Sequence, residues 1–498
     1  MLTMIVLQVV FLYLVFLSFE EYLVYIYGVL LFLLAVMVLY LLNCSGDPGS
    51  KITWLVITMI FPVVGVLLYW YTKSELGHIE LAKRISNIIK KTKGVLPVNE
   101  ASEKLKKRDE GAARLGDYLY RVGGFPVFEN NGVTYFPLGE NKMDALIREL
   151  EKAESFIFME YFIIEEGVFW ERVLDVLLRK AKGGVEVRLL CDGTNELTTL
   201  SNRYVKRLRA QGLKCKMFNR VAPFLSTYYN YRDHRKITVI DGHTAFNGGI
   251  NLADEYINEI DRFGHWKDTA VMIKGEAVRS FTLMFLEMWN VDKRKCAIDT
   301  ELEQFLGTDM PLPSESGGFV IPYGDRPLDG DKVGERVYMD ILNRATRYVR
   351  IMTPYLILDS EMECALRFAA ERGVEVTLML PGIPDKKVPY ALAKTHYKAL
   401  LGSGVKIYEY SPGFVHAKVF VADDREAVVG SINLDYRSFY HHFESATYLY
   451  GVPCITDINA DFTDTVEKCR EVTLETVKKE KLRVKLLGAL MKAVAPLL

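Results

Sequence analysis

The sequence predicts an α/β protein of two similar lobes, each a mainly parallel or mixed sheet with flanking helices, preceded by an N-terminal transmembrane helical hairpin. Two long uncharged stretches near the N-terminus indicate the hairpin. Further along, strand-like apolar runs alternate with helical patterns of about 10–15 residues, which is typical of βαβ units. A polar motif that occurs once in each half indicates a duplication. The 498 residues include 62 Lys+Arg and 63 Asp+Glu, so the overall charge does not favour nucleic acid as a partner.

The transmembrane hairpin is predicted within residues 1–72. Residues 22–42 carry no charge, and as a helix they extend about 30 Å, the thickness of a bilayer core. After a polar turn at 43–51, residues 52–72 are again uncharged, with tryptophan and tyrosine near the ends as in an interfacial belt. A buried globular hairpin is the alternative. The apolar residues 2–19 are either a third span or an interfacial segment.

Residues 73–125 predict a basic juxtamembrane linker. Between 73 and 110 there are ten Lys and Arg against six acidic residues, whereas the turn at 43–51 has one Lys and one Asp. By the positive-inside rule, this difference places everything after Tyr71 on the cytoplasmic side. A basic segment at this position is also attracted to anionic lipid.

The rest of the chain contains two stretches that read alike. In the first, SFIFMEYFII (155–164) precedes a helical pattern and then GVEVRLL (184–190). In the second, YVRIMTPYLIL (348–358) precedes a helical pattern and then GVEVTLM (373–379). The offset of about 185 residues is too long for a solenoid repeat, so it indicates two lobes with a site between them. Residues 306–334, with four Pro and six Gly, predict an interlobe linker.

Each half carries the motif H-x-K-x4-D, and G-[GS]-I-N begins seven residues after the Asp. In a strand the His and Lys point to the same face, and the glycine leaves room for the close approach of a phosphate or a backbone. One such pair alone is more often an ordinary surface feature, but two copies at identical spacing indicate function. The members are His234, Lys236, Asp241 and Asn251 in the first half, and His416, Lys418, Asp423 and Asn433 in the second.

These residue types suit phosphoryl chemistry. Two imidazoles supply one nucleophile and one general acid/base. Two lysines and two asparagine amides bind the negative oxygens of the transition state, where charge stabilisation is often the largest catalytic contribution. This chemistry needs no metal ion or other cofactor, and the remaining histidines show no ligand spacing such as HExxH, so we expect no metal site.

The paired motifs resemble those of the phospholipase D superfamily. The runs around them are similar to bacterial cardiolipin synthases of the membrane-anchored type, and the likeness covers nearly the whole chain. It implies two phospholipase D-like lobes, at 126–305 and 335–465, that share one site. The supporting runs are NYRDHRK (230–236), FNGGINLADEY (246–256), WKD (266–268), GVKIYEY (404–410), GFVHAKVF (413–420) and SINLDYRSF (431–439).

The resemblance implies an enzyme that attacks a phosphatidyl phosphodiester, forms a phosphatidyl-histidine and passes the phosphatidyl group to an alcohol. His234 matches the family's nucleophile and His416 its general acid/base, a choice that the residues alone leave open because the halves are so alike. Asp268 and Glu444, 34 and 28 residues after the histidines of their own halves, match the acidic partners that orient each imidazole.

The expected reaction transfers a phosphatidyl group between two phosphatidylglycerol molecules to give cardiolipin and glycerol. The expected location is a bacterial cytoplasmic membrane, multi-pass, with the lobes on the cytoplasmic side and anionic lipid as the partner. A hydrolytic phospholipase D, or a transferase with another donor or acceptor, is the first alternative. A nuclease and a lipid-binding protein with a decayed site are the others; the hairpin counts against the former, and both intact motifs count against the latter.

Several residues outside this scheme carry weaker expectations. Asp241 and Asp423 belong to the catalytic motifs but are expected to anchor the turns. His441 and His442 are expected to be partly buried surface residues, the alternative being that they face the pocket and influence pH optimum or head-group preference. Residues 466–498 predict a basic amphipathic helix that lies on anionic lipid or docks on the protein. Seven widely spaced cysteines predict reduced thiols: 44, 191, 215, 296, 364, 454 and 469.

Overall fold

The fold is described from a computed structural model of the chain. Apart from a few residues before Tyr22, it describes residues 22–73, 76–129, 131–220, 230–291, 298–306, 317–327 and 329–497. The apolar stretch 2–19 and Cys296 therefore fall largely or wholly outside the described residues. No disulfide links the six described cysteines.

The described helices number nineteen, besides 3-10 turns that include Asp254–Ile257 and Ala495–Leu497. They are α1 Leu23–Asn43, α2 Pro48–Ile60, α3 Pro62–Lys73, α4 Leu76–Thr92, α5 Glu100–Arg108, α6 Glu110–Gly123, α7 Gly139–Leu150, α8 Val168–Lys182, α9 Asn195–Thr198, α10 Asn202–Ala210, α11 Val278–Asn290, α12 Ile298–Leu306, α13 Val333–Arg344, α14 Ser360–Glu371, α15 Lys387–Gly402, α16 Tyr436–Tyr440, α17 Ile455–Val466, α18 Leu474–Lys479 and α19 Leu482–Lys492.

The described strands number twenty-one. They are β1 Phe128–Glu129, β2 Gly132–Phe136, β3 Phe156–Tyr161, β4 Glu186–Asp192, β5 Lys214–Phe218, β6 Arg232–Asp233, β7 Lys236–Ile240, β8 Thr244–Gly248, β9 His265–Lys267, β10 Ala270–Lys274, β11 Phe319–Asp325, β12 Tyr348–Met352, β13 Leu356–Ile357, β14 Glu375–Pro381, β15 Lys406–Tyr410, β16 Gly413–Val415, β17 Val419–Ala422, β18 Glu426–Gly430, β19 Leu434–Asp435, β20 His442–Tyr450 and β21 Cys469–Val472.

The two large sheets confirm the duplicated α/β fold. The first has the order β2-β10-β8-β7-β3-β4-β5, and the second contains the order β20-β18-β17-β12-β14-β15. In each, three strands are parallel (β3, β4 and β5; β12, β14 and β15), and the motif strand β7 or β17 joins them antiparallel. The parallel strands are buried on both faces, which explains their near-continuous apolar sequences.

Two short strand pairs join the lobes beside the motifs. Strand β6 pairs in parallel with β20, and β9 pairs in parallel with β16, so each pair takes one strand from each lobe. Each motif histidine directly follows one of these strands: His234 follows β6, and His416 follows β16. The lobes are therefore fixed to each other at the point where the chemistry is expected.

The predicted second membrane span, 52–72, is wrong as a single helix. It forms two helices, α2 and α3, of 13 and 12 residues. Pro62 has no N–H and disfavours helical backbone at Phe61, so the helix ends there. The chain then reverses, because a Cβ at Gly65 would lie 2.9 Å from Thr58 Cα, whereas seven residues of continuous helix would separate the two by about 10 Å.

Helix α1 is the one described helix that is long and apolar enough to cross a bilayer, with a mean hydropathy of 2.6 over Val24–Asn43. Helices α2 and α3 rise only about 20 Å each, which is shorter than the hydrocarbon core. Trp54 and Tyr69 have ring centroids 5.2 Å apart, and Tyr40 and Tyr69 5.9 Å, so the middle of α2 and the C-terminal turn of α1 both pack against the C-terminal part of α3.

The turn at 43–51 lies against the second lobe, not across a membrane from it. The Tyr440 hydroxyl donates to Asp47 Oδ1 at 3.4 Å, and a Cβ at Gly49 would lie 2.7 Å from the Tyr436 hydroxyl. Thr53 Oγ1 donates to the Ala493 carbonyl at 2.8 Å. Two full spans would place 43–51 and the residues after Tyr71 on opposite sides of the membrane, which does not fit these contacts.

Two predicted linkers contain regular structure. Residues 73–125 include helices α4, α5 and α6, and Ile85, Leu105 and Leu119 are buried in the main core. The charges that suggested a linker lie on the outer faces of these helices, and the apolar residues between them recur at helical spacing. Within 306–334, β11 pairs with β20 over seven residues, because Pro322 and Gly324 are tolerated in this strand.

The C-terminal region 466–498 is more than one helix. Strand β21 pairs with β15, and helices α18 and α19 follow. Helix α19 packs on α15 through Gly488, which contacts the backbone of Ala391. Its opposite face exposes Leu482, Leu486 and Leu490. The helix therefore docks on the protein with one face and presents an apolar stripe with the other.

Candidate active site

The two motif histidines occupy equivalent positions between an interlobe strand and a sheet strand. His234 lies between β6 and β7, and its N–H donates to the Phe443 carbonyl of the other lobe at 2.9 Å. His416 lies between β16 and β17, and its N–H donates to the Lys267 carbonyl at 2.7 Å. These backbone bonds place each imidazole at the lobe interface.

The orienting carboxylates are exchanged between the lobes. His234 Nδ1 is 3.0 Å from both Glu444 Oε1 and Glu444 Oε2. His416 Nδ1 is 2.6 Å from Asp268 Oδ2. Each histidine thus uses the acid that follows the other histidine in the sequence. A carboxylate on Nδ1 keeps a proton on that nitrogen and leaves the Nε2 lone pair free.

Neighbouring groups fix the two carboxylates. Ser431 Oγ donates to Glu444 Oε2, and the Thr269 N–H donates to Asp268 Oδ1 at 2.8 Å. Gly249 is required beside Asp268, because a Cβ there would lie 2.2 Å from Asp268 Oδ1. The second glycine of the G-G-I-N run therefore makes room for a carboxylate, and the Ser431 of G-S-I-N binds one.

The motif lysines are buried beside their histidines. Lys236 Nζ donates to the His234 carbonyl, and Lys418 Nζ donates to the His416 carbonyl. Lys418 Nζ is also 2.8 Å from His416 Nδ1. Each lysine is 1% exposed, so its charge is felt in a medium of low dielectric.

Burial shifts the proton affinities of all four groups towards the neutral form. It lowers the pKa of His234 well below its usual range, and with the charge of Lys418 it lowers the pKa of His416 to about 4. Burial also lowers the pKa of Lys236 to about 7 and that of Lys418 to about 8. Although burial alone raises the pKa of Glu444, the adjacent His234 lowers it below its usual value. Burial therefore favours the neutral form of both imidazoles.

Asp241 and Asp423 lie at the far ends of the motif strands. Asp241 accepts hydrogen bonds from the N–H groups of Glu154, Ser155 and Phe156, at 2.8, 2.8 and 2.7 Å. Asp423 accepts from the equivalent residues Thr346, Arg347 and Tyr348, at 2.8–2.9 Å. Both have positive φ, so each forms a turn and ties it to the start of the neighbouring strand. Neither side chain lines the cavity.

Asn251 and Asn433 line the cavity but differ in their contacts. The Asn251 amide donates to the Tyr256 hydroxyl at 2.7 Å, and its Oδ1 accepts from the Ile163 N–H at 3.0 Å. Among the described residues, Asn433 Oδ1 has no hydrogen-bond partner. Asn251 is held in place by two hydrogen bonds to protein, whereas Asn433 Oδ1 is buried without one among the described residues.

The cavity has a volume of about 600 Å³ and contains both imidazoles. Its walls are largely aromatic and aliphatic. They include Tyr436, which neighbours the turn at 43–51, and Ala495 near the C-terminal end of the described residues. Among the described residues, three cationic and three acidic side chains also line it: Arg262, Lys386, Arg437, Glu255, Asp385 and Asp435. An apolar cavity with a few convergent polar groups is typical of a small-molecule or lipid site.

Two residues outside the His, Lys, Asp and Asn positions of the motifs also support the site. Arg235, the middle residue of the first motif, is 1% exposed, and its Nε donates to the Glu444 carbonyl at 3.1 Å. His442 lines the cavity, with its ring centroid 5.1 Å from that of His234. The expectation of a surface position is wrong for His442, and the alternative that it faces the pocket is right. His441 lines a different cavity, beside the turn at 43–51.

The fold and the paired His–carboxylate geometry define a phospholipase D-like protein with two lobes and one shared site. The profile described as "Cardiolipin synthase, PLD-like domain" matches residues 146–289 and 338–466, and one described as "Phospholipase_D-nuclease N-terminal" matches 29–72. The chain belongs to the cardiolipin synthase family, and it is a phosphatidyltransferase of the phospholipase D superfamily.

Similar proteins align along most of their lengths. Proteins named "Cardiolipin synthase" from Alkalihalophilus pseudofirmus and Geobacillus kaustophilus are 31% and 32% identical over 91% of this chain and 90% of their own. An uncharacterized protein of Streptococcus mutans is 57% identical over 93% of this chain and 99% of its own. The crystal structure of phosphatidylserine synthase from Haemophilus influenzae shares the fold, with a TM-score of 0.58 at 15% identity, covering 78% of this chain and all of that one.

Proposed function

We propose that the protein synthesises cardiolipin by transferring a phosphatidyl group from one phosphatidylglycerol to another, with release of glycerol, through a phosphatidyl-histidine on His234. The observation that carries the proposal is the pair of imidazoles in one cavity, each with Nδ1 on a buried carboxylate. This arrangement supplies a nucleophile and a general acid/base of matched tautomer. The names of the relatives support the choice of product.

In the first half-reaction, the neutral His234 Nε2 attacks the phosphorus of the first phosphatidylglycerol. The N–P bond forms, and the bond from phosphorus to the head-group glycerol oxygen breaks. His416 Nε2, protonated when the anionic phosphate raises its pKa, gives its proton to that oxygen, so glycerol leaves neutral. Lys236 and Lys418 stabilise the negative charge on the equatorial oxygens.

In the second half-reaction, a primary hydroxyl of the second phosphatidylglycerol attacks the same phosphorus. His416 Nε2 accepts the hydroxyl proton, the His234–phosphorus bond breaks, and cardiolipin forms. Arg262 and Lys386 in the cavity wall pair with Glu255 and Asp385, and the cationic Arg437 suits an acceptor that carries its own phosphate. Water and lipid hydroxyls compete at this step, and the apolar walls disfavour water.

Membrane placement follows from the helices at the lobe surface. We propose that α1 crosses the membrane once and that the α2–α3 hairpin enters and leaves on the side of the lobes, which the basic residues 73–110 place in the cytoplasm. The exposed leucines of α19 and its flanking lysines lie on anionic lipid. Tyr436 and Ala495 line the cavity and neighbour the turn at 43–51 and the start of α2. Lipid therefore reaches the site from the bilayer.

The activity test uses purified full-length protein in vesicles of labelled phosphatidylglycerol, with products resolved as cardiolipin, phosphatidic acid and glycerol. The expected result is cardiolipin and glycerol in equal amounts, abolished by His234→Ala. Phosphatidic acid as the main product would show a hydrolase, and no consumption of phosphatidylglycerol would point to another donor.

The topology test uses single cysteines in an otherwise cysteine-free chain, labelled with an impermeant maleimide in intact cells and in lysed cells. Ser45→Cys and Lys93→Cys are both expected to react only after lysis, since both ends of the hairpin face the cytoplasm. Labelling of Ser45→Cys in intact cells, with Lys93→Cys still protected, would restore two full spans.

A further inference from the structure

One buried cluster beside the nucleophile has groups that the proposed reaction does not use. His234, His442 and Glu444 each offer one ligand atom, and these atoms lie within 4.8 Å of one another. His442 Nδ1 is 3.5 Å from Glu444 Oε1. Among the described residues, His442 Nε2 has no hydrogen-bond partner and Nδ1 has only this long contact with Glu444, although the residue is only 7% exposed. A buried imidazole that is so poorly satisfied is costly unless a ligand binds it.

We propose that His234, His442 and Glu444 form an inhibitory site for a divalent transition-metal ion such as Zn²⁺. Two imidazoles and a carboxylate are ligands that zinc prefers, at about 2.0–2.2 Å, which corresponds to about 3.3 Å between neighbouring ligand atoms in a tetrahedron. Glu444 already lies at nearly that distance from both histidines. Small side-chain shifts complete the site, and a water molecule takes the fourth position.

A second cluster of potential metal ligands in the described part of the chain serves as a contrast. Glu335, Asp359 and Glu361 also lie close together, but Lys332 Nζ occupies the space between them, at 3.4 Å from Asp359 and 3.0 Å from Glu361. That cluster is neutralised by its own lysine. Among the described residues, Glu444 forms ion pairs only with His234 and His442, although Lys236 lies close enough to act on its charge. The cavity provides an entry path because His234 and His442 both line it.

Metal binding at this site stops the reaction through the tautomer of His234. Attack requires the proton on Nδ1 and the lone pair on Nε2. A metal ion takes the Nδ1 lone pair, so the neutral ring must carry its proton on Nε2, and Glu444 becomes a metal ligand. The attacking nitrogen then has no lone pair. Because Lys236 and Lys418 are not ligands, lipid binding persists, and zinc lowers kcat while leaving KM unchanged.

The experiment compares His442→Gln with His441→Gln in the full-length protein in vesicles, at a series of buffered free Zn²⁺ concentrations. Two quantities are measured: zinc bound per chain after equilibrium dialysis, and cardiolipin formation relative to each variant's own zinc-free rate. The wild type and His441→Gln are expected to bind one zinc and to lose kcat together, reversibly with chelator. Loss of a ligand in His442→Gln raises the free zinc needed for both effects by at least about tenfold.

A measurement on the unaltered protein covers the case in which His442→Gln does not fold. Zinc is expected to protect His234 and His442, but not His441, from acylation by diethylpyrocarbonate, as mapped by mass spectrometry. Equal zinc binding by the two variants, or acylation of His442 unaffected by zinc, would overturn the site. The inhibition rests on the proposed role of His234, whereas bound zinc and protection do not, so the zinc-free assay separates the two failures.

Discussion

Replacement of Glu444 by glutamine tests the exchanged carboxylate directly. Gln has nearly the same shape and its oxygen still accepts from His234 Nδ1, so the change removes charge and keeps the hydrogen bond. The carboxylate lies 3.0 Å from Nδ1, where two unit charges interact by about 5.5 kcal/mol at an effective dielectric of about 20. Measured hydrogen bonds to charged groups are worth about 1.5–3 kcal/mol.

The lowest of these values, about 1.5 kcal/mol, and the highest, about 5.5 kcal/mol, bracket the expected loss of transition-state stabilisation. At 1.36 kcal/mol per tenfold in rate, they correspond to about 10-fold and about 10⁴-fold, and we expect kcat to fall by about 10²–10³-fold. The charge matters most when His234 becomes positively charged in the transition state, so KM changes little. The lost stabilisation appears in the formation of the phosphatidyl-enzyme, the step that His234 performs.

The assay is a rapid-quench single turnover with labelled phosphatidylglycerol, in parallel with Asp268→Asn as the matched change at His416. Glu444→Gln is expected to slow adduct formation on His234, and Asp268→Asn to slow both formation and breakdown. Thermal unfolding of each variant checks that the fold persists. Adduct formation in Glu444→Gln within about threefold of the wild-type rate would refute the exchange as a catalytic feature.

Three further outcomes are expected. Activity persists in a strong chelator, because lysine and asparagine side chains stabilise the charge; loss of turnover that one divalent ion restores would contradict this. The pKa values of about 7 for Lys236 and about 8 for Lys418 predict that kcat/KM falls as pH rises through 7–8, because each lysine is charged only below its pKa. Lys236→Arg is expected to move this fall to higher pH. A kcat/KM that stays constant over this pH range would contradict the prediction. Alkali-quenched His416→Ala retains a phosphatidyl adduct on His234 and His234→Ala has none, whereas an adduct mapped to His416 would reverse the roles.

The fold and the motif residues were predictable because their signals are local. Near-continuous apolar runs mark strands such as β3 and β12, and the equal spacing from His to Asp and on to G-[GS]-I-N marks the duplication. The anchoring by Asp241 and Asp423 also follows from sequence, because an acid at the end of a strand before a glycine or aspartate suits a turn.

The partners across the interface were not predictable in the same way. Glu444 follows His416 by 28 residues, yet it binds the imidazole of His234. No spacing within one lobe reports this, since it depends on how β6 pairs with β20. The membrane hairpin is a different case: Pro62 marks the break in the sequence, but the composition of 52–72 alone also fits one continuous span.

The two motifs have nearly the same residues at the same spacing, so much of the difference between the histidines comes from residues outside them. Around His234 Nδ1 stand both oxygens of Glu444, with Ser431 behind them and the ring of His442 alongside. Around His416 Nδ1 stand Asp268 and the Lys418 ammonium, whose positive charge opposes protonation of that ring. A duplicated site thus acquires two unlike imidazoles, partly from Glu444, Asp268 and His442, which the motifs do not include, and this is why motif spacing alone leaves their roles undecided.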